Sequence, residues 1–590
     1  MGNKETTMKT LMLGNASVAR GLYEADCKFV SSYPGTPSTE ITEQAAEYKE
    51  IYTEWATNEK VALEASIGAS IGGARAFCGM KHVGLNVAAD PLFTASYIGV
   101  NGGLVIAVAD DSGMHSSQDE QDSRHYAIAA KIPMLEPADS ADCLNFTKIA
   151  FELSEQFDTP FIIRLSTRIS HSQSIVNLSE RVDVPLKDYK KDQSKYVMMP
   201  MYARGRHIVV EERMKKFTDY AETSPLNVVE YNGDKKIGVI SSGIAYQYAK
   251  EAFGDKASYL KLGIVHPLPE KLIRDFAANV DKVIVIEELD DVIETWCRKI
   301  GVEVEGKNLF PNSLMGEYSQ EIIRKSILGE VNEYAEIGEV LPNRPPVLCP
   351  GCTHRGIFYV LKKLNLFVSG DIGCYTLGSL APLSAMDTTL CMGASISALH
   401  GYNKVRGEES AKKSIAVIGD STFMHSGITG LIDIAYNKGN SKILILDNSI
   451  TGMTGHQDNP STGRTLKGEE TVNISIEAIC RASGIKNVVV IDPYDIATCE
   501  KVIREELDKK EASVIIARRP CVLLKYVKKD KKYIINKDNC KGCKQCMAIG
   551  CPAVSFDTFS KKAAIDANLC AGCGLCEKLC KFNAIELINQ

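Results

Sequence analysis

The sequence has neither a membrane-length apolar run nor an excess of basic residues. Its longest apolar stretch covers residues 104–109, well short of the roughly 20 residues that a membrane-spanning helix needs. Lys and Arg total 68 against 74 Asp and Glu, and the net charge of −6 excludes the basic surface typical of nucleic-acid-binding domains. The first residues contain no apolar core, so we expect no signal peptide and a cytoplasmic location.

Cysteine, by contrast, is abundant and unevenly distributed. The chain has 19 cysteines, and eight of them lie between residues 540 and 580. Disulfides are uncommon in proteins without an export signal, so metal binding is the better interpretation. The local excess therefore predicts a metal-binding segment in this part of the chain.

This cysteine-rich tail contains two copies of one motif at an offset of 30 residues. Each copy holds three cysteines at two-residue spacing, and a fourth cysteine follows. Thiolates at this spacing can bind three corners of a four-iron cluster, while the distant cysteine completes the cluster of the other copy. Two zinc knuckles are the alternative, although zinc has no need of two interleaved sets. The predicted ligands are Cys540, Cys543, Cys546 and Cys580 for cluster A, and Cys570, Cys573, Cys576 and Cys551 for cluster B.

Buried strands account for the apolar runs in the rest of the chain. Continuously hydrophobic runs are expected of strands that are covered on both faces. They occur at residues 103–108, 282–286, 414–418, 442–446 and 513–517. Helical patterns separate the runs, and this alternation is typical of α/β domains with parallel sheets.

Polar residues follow two of these runs where the strands end. Gly419, Asp420 and Ser421 follow one run, and Asn448 follows the next, with Ile450 two residues further on. A carboxylate, an amide oxygen and a main-chain carbonyl are the hard ligands that Mg²⁺ binds together with diphosphate. Ligands also bind beyond the carboxyl ends of parallel strands. The pattern resembles a thiamine diphosphate motif with Ser421 replacing its second glycine; two ordinary strand-end turns are the alternative.

Thiamine chemistry also needs a carboxylate, and the first part of the chain offers one. That carboxylate hydrogen-bonds the aminopyrimidine ring and promotes the form that deprotonates the thiazolium carbon. Our candidate is Glu59, which precedes a predicted helix at residues 60–76 with many small side chains. Glu54 and Glu64 are the alternatives, and the helix dipole alone also favours a carboxylate at a helix start.

Further motifs follow one another along nearly the whole chain. They are Tyr33-Pro-Gly-Thr-Pro-Ser38, Asn58-Glu59, Gly113-Met-His-Ser-Ser-Gln118 with Arg124, Cys349-Pro-Gly-Cys-Thr-His-Arg355, Gly419-Asp-Ser-Thr-Phe423 and the two-cluster tail. The combination resembles the 2-oxoacid:ferredoxin oxidoreductases, and within that family the large subunit of the indolepyruvate branch. The arylpyruvate-oxidising branch also tolerates Ser at the place of Ser421.

The resemblance implies an α/β fold class with two parts. Thiamine diphosphate-binding, transketolase-like parallel-sheet domains would precede a bacterial ferredoxin-like domain with two [4Fe-4S] clusters. With boundaries at composition shifts, the predicted domains are residues 1–180 (pyrimidine-binding), 235–320 (transketolase C-terminal-like), 345–523 (diphosphate-binding) and 530–590 (ferredoxin-like).

The resemblance also implies which residues bind the cofactor. Glu59 would activate thiamine diphosphate, and Asp420, Asn448 and the Ile450 carbonyl would hold Mg²⁺. The implied cofactor-binding set is Glu59, Gly419, Asp420, Ser421, Asn448 and Ile450.

Three further residues are implied as substrate contacts. Thr36 would contact the substrate carboxylate or the cofactor adduct. His115 and Arg124 lie in a predicted polar loop after the strand that ends near residue 109 and are further candidates. Ordinary solvated loop residues are the alternative for both.

A third four-iron cluster, close to the thiamine, is implied by related enzymes that use one Cys pair and two distant cysteines. The matching residues are Cys349, Cys352, Cys374 and Cys521, which we call the proximal set. We expect the other seven cysteines to be small buried hydrophobic residues; they are Cys27, Cys78, Cys143, Cys297, Cys391, Cys480 and Cys499.

The implied activity is oxidation of an arylpyruvate with coenzyme A, giving arylacetyl-CoA, CO2 and reduced ferredoxin. The implied partners are a small β subunit, in an α2β2 hetero-oligomer, and an external ferredoxin. A lysine-rich connector at residues 525–537 could steer an acidic ferredoxin or be a solvated linker.

Pyruvate, branched-chain oxoacids and 2-oxoglutarate are alternative substrates. A non-oxidative decarboxylase, which would not need the tail, and an electron-carrying subunit, which would not need Glu59, are alternative functions.

Overall fold

The structure is a computed structural model that describes residues 8–233, 235–333, 337–342 and 344–589. The chain divides into two compact units, Met1–Ile337 (unit 1) and Gly338–Gln590 (unit 2). None of the helices in the described ranges is both long and apolar enough to cross a membrane.

Unit 1 alternates strands and helices. Its strands are β1 (Lys9–Leu13), β2 (Phe29–Ser32), β3 (Tyr52–Trp55), β4 (Ala76–Lys81), β5 (Leu104–Asp110), β6 (Met134–Leu135), β7 (Phe161–Ser166), β8 (Gln173–Asn177), β9 (Val228–Glu230), β10 (Ile237–Ser241), β11 (Ser258–Lys261), β12 (Ile264–His266) and β13 (Lys282–Ile286). Its α-helices are α1 (Gly14–Glu24), α2 (Thr39–Ala45), α3 (Glu59–Ile71), α4 (His82–Val87), α5 (Ala89–Ile98), α6 (Arg124–Ala130), α7 (Ser140–Phe157), α8 (Thr167–His171), α9 (Gln193–Tyr196), α10 (Pro200–Ala221), α11 (Gly243–Phe253), α12 (Glu270–Ala277), α13 (Val292–Lys299) and α14 (Gln320–Ile323).

Two larger sheets organise unit 1. The first has the strand order β12-β6-β7-β5-β4-β2-β3 and is parallel except for β12, which pairs antiparallel with β6. The second has the order β13-β10-β11-β9, with β9 antiparallel at one edge. All seven residues of β5 are buried, because helices cover both faces of the first sheet.

Unit 2 contains a parallel sheet followed by the cysteine-rich tail. Its strands are β14 (Phe367–Ser369), β15 (Ser414–Gly419), β16 (Lys442–Asp447), β17 (Asn487–Ile491), β18 (Ser513–Arg518), β19 (Lys531–Ile535), β20 (Val554–Asp557), β21 (Lys562–Ile565) and β22 (Ile585–Asn589). Its α-helices are α15 (His354–Leu364), α16 (Ala394–Arg406), α17 (Glu408–Ala411), α18 (Asp420–Thr422), α19 (Ile428–Tyr436), α20 (Ile476–Ala482), α21 (Ile496–Leu507) and α22 (Leu575–Lys578).

The main sheet of unit 2 has the order β14-β15-β16-β18-β17 and is parallel throughout. The tail forms two antiparallel pairs, β19 with β22 and β20 with β21. One hydrophobic core joins the two parts, since Ile357 and Phe358 of α15 pack in the same cluster as Ile549 and Leu575 of the tail. The five apolar runs predicted as strands are confirmed as β5, β13, β15, β16 and β18.

Three details of the sequence prediction were wrong, and the first two concern a helix end and a cysteine. The helix expected at residues 60–76 is α3, which ends at Ile71 because Gly73 adopts a φ of +94° that leads the chain away from the helix. Cys391 is exposed, whereas the six other cysteines expected to be buried hydrophobic residues are buried.

Arg124 also lies elsewhere than predicted, at the centre of a buried charge cluster in unit 1. It is the first residue of α6 rather than part of a polar loop, and its side chain is fully buried. Its guanidinium contacts Asp122 and, at 2.5 Å, Glu287 Oε2 at the end of β13. Burial opposes ionisation of Asp122, but Arg124 and Arg164 outweigh it and hold the pKa of that carboxyl below its usual range. Arg124 therefore ties the first sheet to the second through a set of paired charges.

We expect Arg124→Met to destabilise unit 1 by about 3–5 kcal/mol, because it leaves buried carboxylates without their cation. Both tryptophans, Trp55 and Trp296, lie in unit 1, so tryptophan fluorescence during urea unfolding reports on this unit. The matched control is Arg274→Met, which removes an exposed ion pair with Glu270 and should cost at most about 0.5 kcal/mol. Equal losses in the two variants would contradict the central role of the buried cluster.

Candidate functional site

Four neighbouring parallel strands of unit 2 end at the edge where the predicted site lies. β14, β15, β16 and β18 lie side by side in that order. The chain that follows them carries, in the same spatial order, Cys374, Asp420, Asn448 and Cys521. Because the carboxyl ends of parallel strands share one edge, these four residues come together from separate parts of the chain.

Three oxygen atoms converge at the ends of β15 and β16. The side-chain oxygen of Asn448 lies 3.1 Å from Asp420 Oδ1 and 2.9 Å from the Ile450 carbonyl oxygen. Acceptors this close repel one another unless the Asn448 amide turns to donate to both oxygens, or a cation lies among them. Octahedral Mg²⁺, with oxygens at about 2.0–2.1 Å, sets adjacent ligands about 2.9 Å apart. The three oxygens of Asp420, Asn448 and Ile450, which we call the oxygen set, are therefore spaced as the ligands of a small hard cation would be.

The electrostatics of Asp420 agree with that fit. Asp420 is almost completely buried, and burial, with the like charge of Asp447, raises the pKa of its carboxyl to about 7. Asn459 Nδ2 lies 3.5 Å from Asp420 Oδ2, and the main-chain N–H of Ser421 also hydrogen-bonds to this carboxylate. A cation beside the carboxylate would stabilise its ionised form and reverse the cost of burial.

Gly419 and Ser421 complete this turn through packing and hydrogen bonding. A Cβ atom on Gly419 would lie 2.6 Å from Cε1 of Tyr375, so a larger residue would displace that ring. The Ser421 hydroxyl accepts a hydrogen bond from Thr451 Oγ1 at 2.8 Å. Serine can thus occupy the place of the motif's second glycine without strain.

The four cysteines of the proximal set lie together beside the oxygen atoms. Burial first, then the neighbouring thiols of Cys349 and Cys521, raises the pKa of Cys374 to about 11. The main-chain N–H of Cys521 donates to the carbonyl oxygen of Asn448 at 2.9 Å. A Cβ atom on Gly452 would lie 3.4 Å from Cys374 Sγ and 4.0 Å from Asn448 Nδ2. The thiols and the oxygen set thus adjoin one another.

The tail brings its eight cysteines into the two interleaved groups predicted from the spacing. Cys540, Cys543, Cys546 and Cys580 line a single cavity. Burial raises the pKa of Cys576, and the thiols of Cys573, Cys551 and Cys570 reinforce the effect. Among the described residues, no three His, Cys, Asp or Glu side chains form a group suited to one metal ion. The four thiols that line the cavity match the number of cysteine ligands of a four-iron cluster.

Glu59 is the buried carboxylate among the three candidates in unit 1. It begins α3, where the Asn58 side chain caps the helix by accepting from the N–H of Val61. A Cβ atom on Gly84 would lie 2.7 Å from Glu59 Oε1, so the glycine makes room for the carboxylate. Glu64 is exposed and pairs with Lys60, which leaves it a surface role.

The substrate candidates in unit 1 have different surroundings. Thr36 is half-buried in the loop between β2 and α2. His115 lies in a loop, as predicted, with Nε2 3.0 Å from Glu317 Oε2 and nearly half of its side chain exposed. The guanidinium of Arg124 is already paired with the carboxylates of Asp122 and Glu287. These ion pairs account for the buried arginine, and no substrate contact is needed to explain it.

Sequence reasoning missed Lys81, a buried cation near Glu59. Lys81 ends β4, and its side-chain carbons lie 3.2 Å from the position of a Cβ atom on Gly35, beside Thr36. Its Nζ donates to the carbonyl of Ser116 at 2.8 Å. Burial lowers the pKa of Lys81, while carboxylates that include Glu59 oppose the shift. A lysine at the end of an otherwise apolar strand was the signal available in the sequence.

Comparison with known protein families agrees with this arrangement. Residues 20–229 match a model described as pyruvate flavodoxin/ferredoxin oxidoreductase, thiamine diP-bdg. Residues 371–517 match the thiamine pyrophosphate enzyme, C-terminal TPP binding domain, and residues 563–586 match a 4Fe-4S binding domain. The last match covers the second copy of the tail motif.

Individual relatives are similar over the whole chain. The indolepyruvate oxidoreductase subunit IorA of Pyrococcus horikoshii is 40% identical over 632 residues, which covers 99% of this chain and 97% of that protein. The chain belongs to the IorA family of 2-oxoacid oxidoreductase subunits. The IorA of Archaeoglobus fulgidus is 39% identical, with 98% of this chain and 97% of that protein covered. A 2-oxoglutarate synthase subunit KorA of the same organism is 25% identical and covers 52% of this chain and 97% of that protein.

Membership of the IorA family confirms the fold class and the principal cofactors. The chain has thiamine diphosphate-binding domains with parallel sheets and a 4Fe-4S domain in the tail. It is a thiamine diphosphate-dependent enzyme of the 2-oxoacid:ferredoxin oxidoreductase class with iron–sulfur clusters. The individual ligands and the domain boundaries stay predictions, now with the geometry described above.

The burial of Asp420 leads to a test that depends on pH. The folded, ligand-free chain holds a proton on Asp420 up to about pH 7, whereas an unfolded Asp releases it near pH 4. Wild-type stability should therefore fall as the pH rises from about 4 to 7, and Asp420→Asn should remove this loss. We expect the ligand-free variant to be more stable than wild type at pH 8, but equal to it near pH 4.

Thermal unfolding of the ligand-free protein at each pH measures the difference in stability between wild type and Asp420→Asn. Added MgCl2 with thiamine diphosphate should stabilise the wild type but not the variant. Asp433→Asn, which alters an exposed carboxylate on α19, is the control. A variant that is still stabilised by the two ligands would exclude Asp420 from the cation site.

Proposed function

We propose that the chain is the large subunit of an indolepyruvate:ferredoxin oxidoreductase that forms acyl-CoA. The proposed reaction converts one arylpyruvate, one coenzyme A and two oxidised ferredoxins to arylacetyl-CoA, CO2, two reduced ferredoxins and one proton. The names of the IorA relatives support the aryl substrate, and their description as subunits supports a partner subunit. For that partner we propose a small β subunit in an α2β2 assembly.

The observation that carries the proposal is the contact between the proximal cysteines and the oxygen set. The main-chain N–H of Cys521 donates a hydrogen bond to the carbonyl of Asn448. The Cys374 thiol and the Asn448 amide both lie close to Gly452. A non-oxidative decarboxylase would have no use for an electron acceptor at that position. The arrangement favours a reaction in which electrons leave the site one at a time through iron–sulfur clusters.

We assign separate roles in cofactor binding and electron transfer to these residues. Asp420, Asn448 and the Ile450 carbonyl would hold Mg²⁺ and through it the diphosphate. Glu59 would hydrogen-bond the aminopyrimidine ring and hold the proton that activation requires. Thiamine diphosphate, when bound, supplies a nucleophilic carbon and an electron sink. The proximal set would hold a four-iron cluster beside it, and clusters A and B would pass electrons outward.

An anaerobic assay tests the reaction itself. The chain, combined with its small subunit, should convert indolepyruvate and coenzyme A to indoleacetyl-CoA while reducing ferredoxin. Pyruvate, 2-oxoglutarate and branched-chain oxoacids, supplied in parallel, test the choice of substrate. Release of an aldehyde without acyl-CoA would contradict the proposed reaction. Full activity of the chain in the absence of a small subunit would contradict the proposed assembly.

The role of Glu59 can be tested against its exposed neighbour. We expect Glu59→Gln to reduce turnover by about 10²-fold or more, because the amide cannot hold the activating proton. Thiamine diphosphate binding, measured by equilibrium dialysis, should remain. Glu64→Gln, one turn along α3 on the exposed surface, should leave turnover unchanged. Equal effects in both variants would reject the assignment.

Iron content tests the proximal set. Three four-iron clusters predict about twelve Fe per chain after anaerobic purification. Cys374→Ser should lower the content to about eight Fe, because one cluster loses a ligand. Cys391→Ser, which changes an exposed cysteine, should keep the wild-type content. A wild-type content of about eight Fe would reject the third cluster.

A further inference from the structure

Arg355 is a buried cation whose surroundings consist of cysteine-bearing loops. It lies in the first turn of α15, and only 2% of the residue is exposed. Its hydrogen bonds go to main-chain carbonyls: Nε donates to Cys349 at 3.0 Å, Nη1 to Gly550 at 2.5 Å and to Ile549 at 3.1 Å, and Nη2 to Leu348. These carbonyls accept from four of the five N–H donors but supply no negative charge to balance the guanidinium.

The titratable side chains that act on Arg355 are cysteines from two different ligand sets. Burial lowers the pKa of Arg355, and the thiols of Cys551, Cys352, Cys349 and Cys573 oppose the shift, in that order of strength. Cys349 and Cys352 belong to the proximal set, whereas Cys551 and Cys573 belong to cluster B. The guanidinium therefore lies between the two sets.

The loops of the two sets also pack directly against each other around this arginine. A Cβ atom on Gly351, between the proximal cysteines, would lie 2.7 Å from Cβ of Ala571 and 3.7 Å from Cβ of Cys573. The Tyr494 hydroxyl donates to the carbonyl of Gly351 at 2.5 Å. Nη1 of Arg355 lies 3.2 Å from the position of a Cβ atom on Gly550. Arg355 thus hydrogen-bonds to the loop of Cys349 and to the loop that precedes Cys551.

We propose that Arg355 is a positioning residue that links the proximal set to cluster B and raises the reduction potential of both clusters. The inference rests on the proposed function in one respect, the assignment of a four-iron cluster to the proximal set. Reduction adds one electron, and so one negative charge, to a cluster and breaks no bond. A fixed buried cation stabilises the more negative form, because net charge and hydrogen bonding set cluster potentials.

The hydrogen bonds of Arg355 also indicate which clusters should respond. Two of the four go to Ile549 and Gly550, just before Cys551, and the other two go to Leu348 and Cys349 of the proximal loop. Cluster B and the proximal cluster should therefore both respond. None of these four hydrogen bonds goes to a cysteine of cluster A. Cluster A should keep its potential and serve as the internal reference.

The test compares Arg355→Gln with Arg355→Lys in the full chain with its small subunit. Glutamine retains amide donors for the carbonyls but carries no charge, whereas lysine retains the charge without the planar fork. Anaerobic titration with dithionite, followed by electron paramagnetic resonance, gives each potential without oxoacid or coenzyme A. We expect Arg355→Gln to lower the reduction constant of cluster B about tenfold, which is 59 mV for one electron. The lysine variant should shift less than half as far.

Two control variants separate charge from anchoring. Tyr494→Phe removes the hydroxyl that holds Gly351 without changing charge, and its potentials should match wild type. Arg406→Met removes an arginine that packs on the Tyr402 ring of α16, and it should also have no effect. Unchanged potentials in Arg355→Gln with full iron content would overturn the proposal. Equal shifts in the Gln and Lys variants would do so too, since packing rather than charge would then be responsible.

The outcomes also distinguish this inference from the proposed function. A chain with about eight Fe in which only cluster B shifts would reject the proximal cluster while supporting Arg355. If Arg355→Gln fails to hold iron, the lysine variant decides alone. Potentials within about threefold of wild type in the reduction constant would then support the role of charge, and a tenfold decrease would overturn it.

Discussion

The parallel alignment of β14, β15, β16 and β18 is the constraint on which the site of unit 2 depends. β15 and β16 are buried along their whole length and β18 up to its last residue, so polar ligands placed within these strands would lack partners. The first positions available to such ligands are those just beyond the carboxyl ends. Because the four strands are adjacent and point the same way, their following residues meet at one edge. The thiols and the oxygen set adjoin for this reason.

The buried charged side chains of this protein have two kinds of surroundings. The guanidinium of Arg124 is balanced by Asp122 and Glu287, so protein side chains complete that cluster. Asp420 is instead buried near the like charge of Asp447, and Arg355 is buried among carbonyls and thiols. Removing one partner of the Arg124 cluster would leave a buried charge uncompensated. Under the functions proposed above, Asp420 and Arg355 would be compensated by bound inorganic groups of opposite charge.

The tail shows how a short repeat can be stable next to a larger domain. Its two small antiparallel sheets bury little on their own. Ile549, Leu575 and Ile585 nevertheless belong to the same hydrophobic core as α15 and the main sheet. The shared core fixes the loop of Cys551 against that of Cys349, and clusters bound by the tail would therefore stand at a set position relative to the proximal set.

The sequence by itself determined five of the buried strands, the spacing of the tail cysteines and the residues that follow β15 and β16. These features are local: continuous burial selects apolar runs, and cluster ligation requires close cysteines. Tertiary structure alone decided that Glu59 is buried while Glu64 is exposed, and that Arg124 is paired in the interior. It also decided the neighbours of Asn448. β17 precedes β18 in the chain, yet β18 pairs directly with β16 and places Cys521 beside Asn448. Strand order arises from contacts between distant segments, which no local pattern specifies.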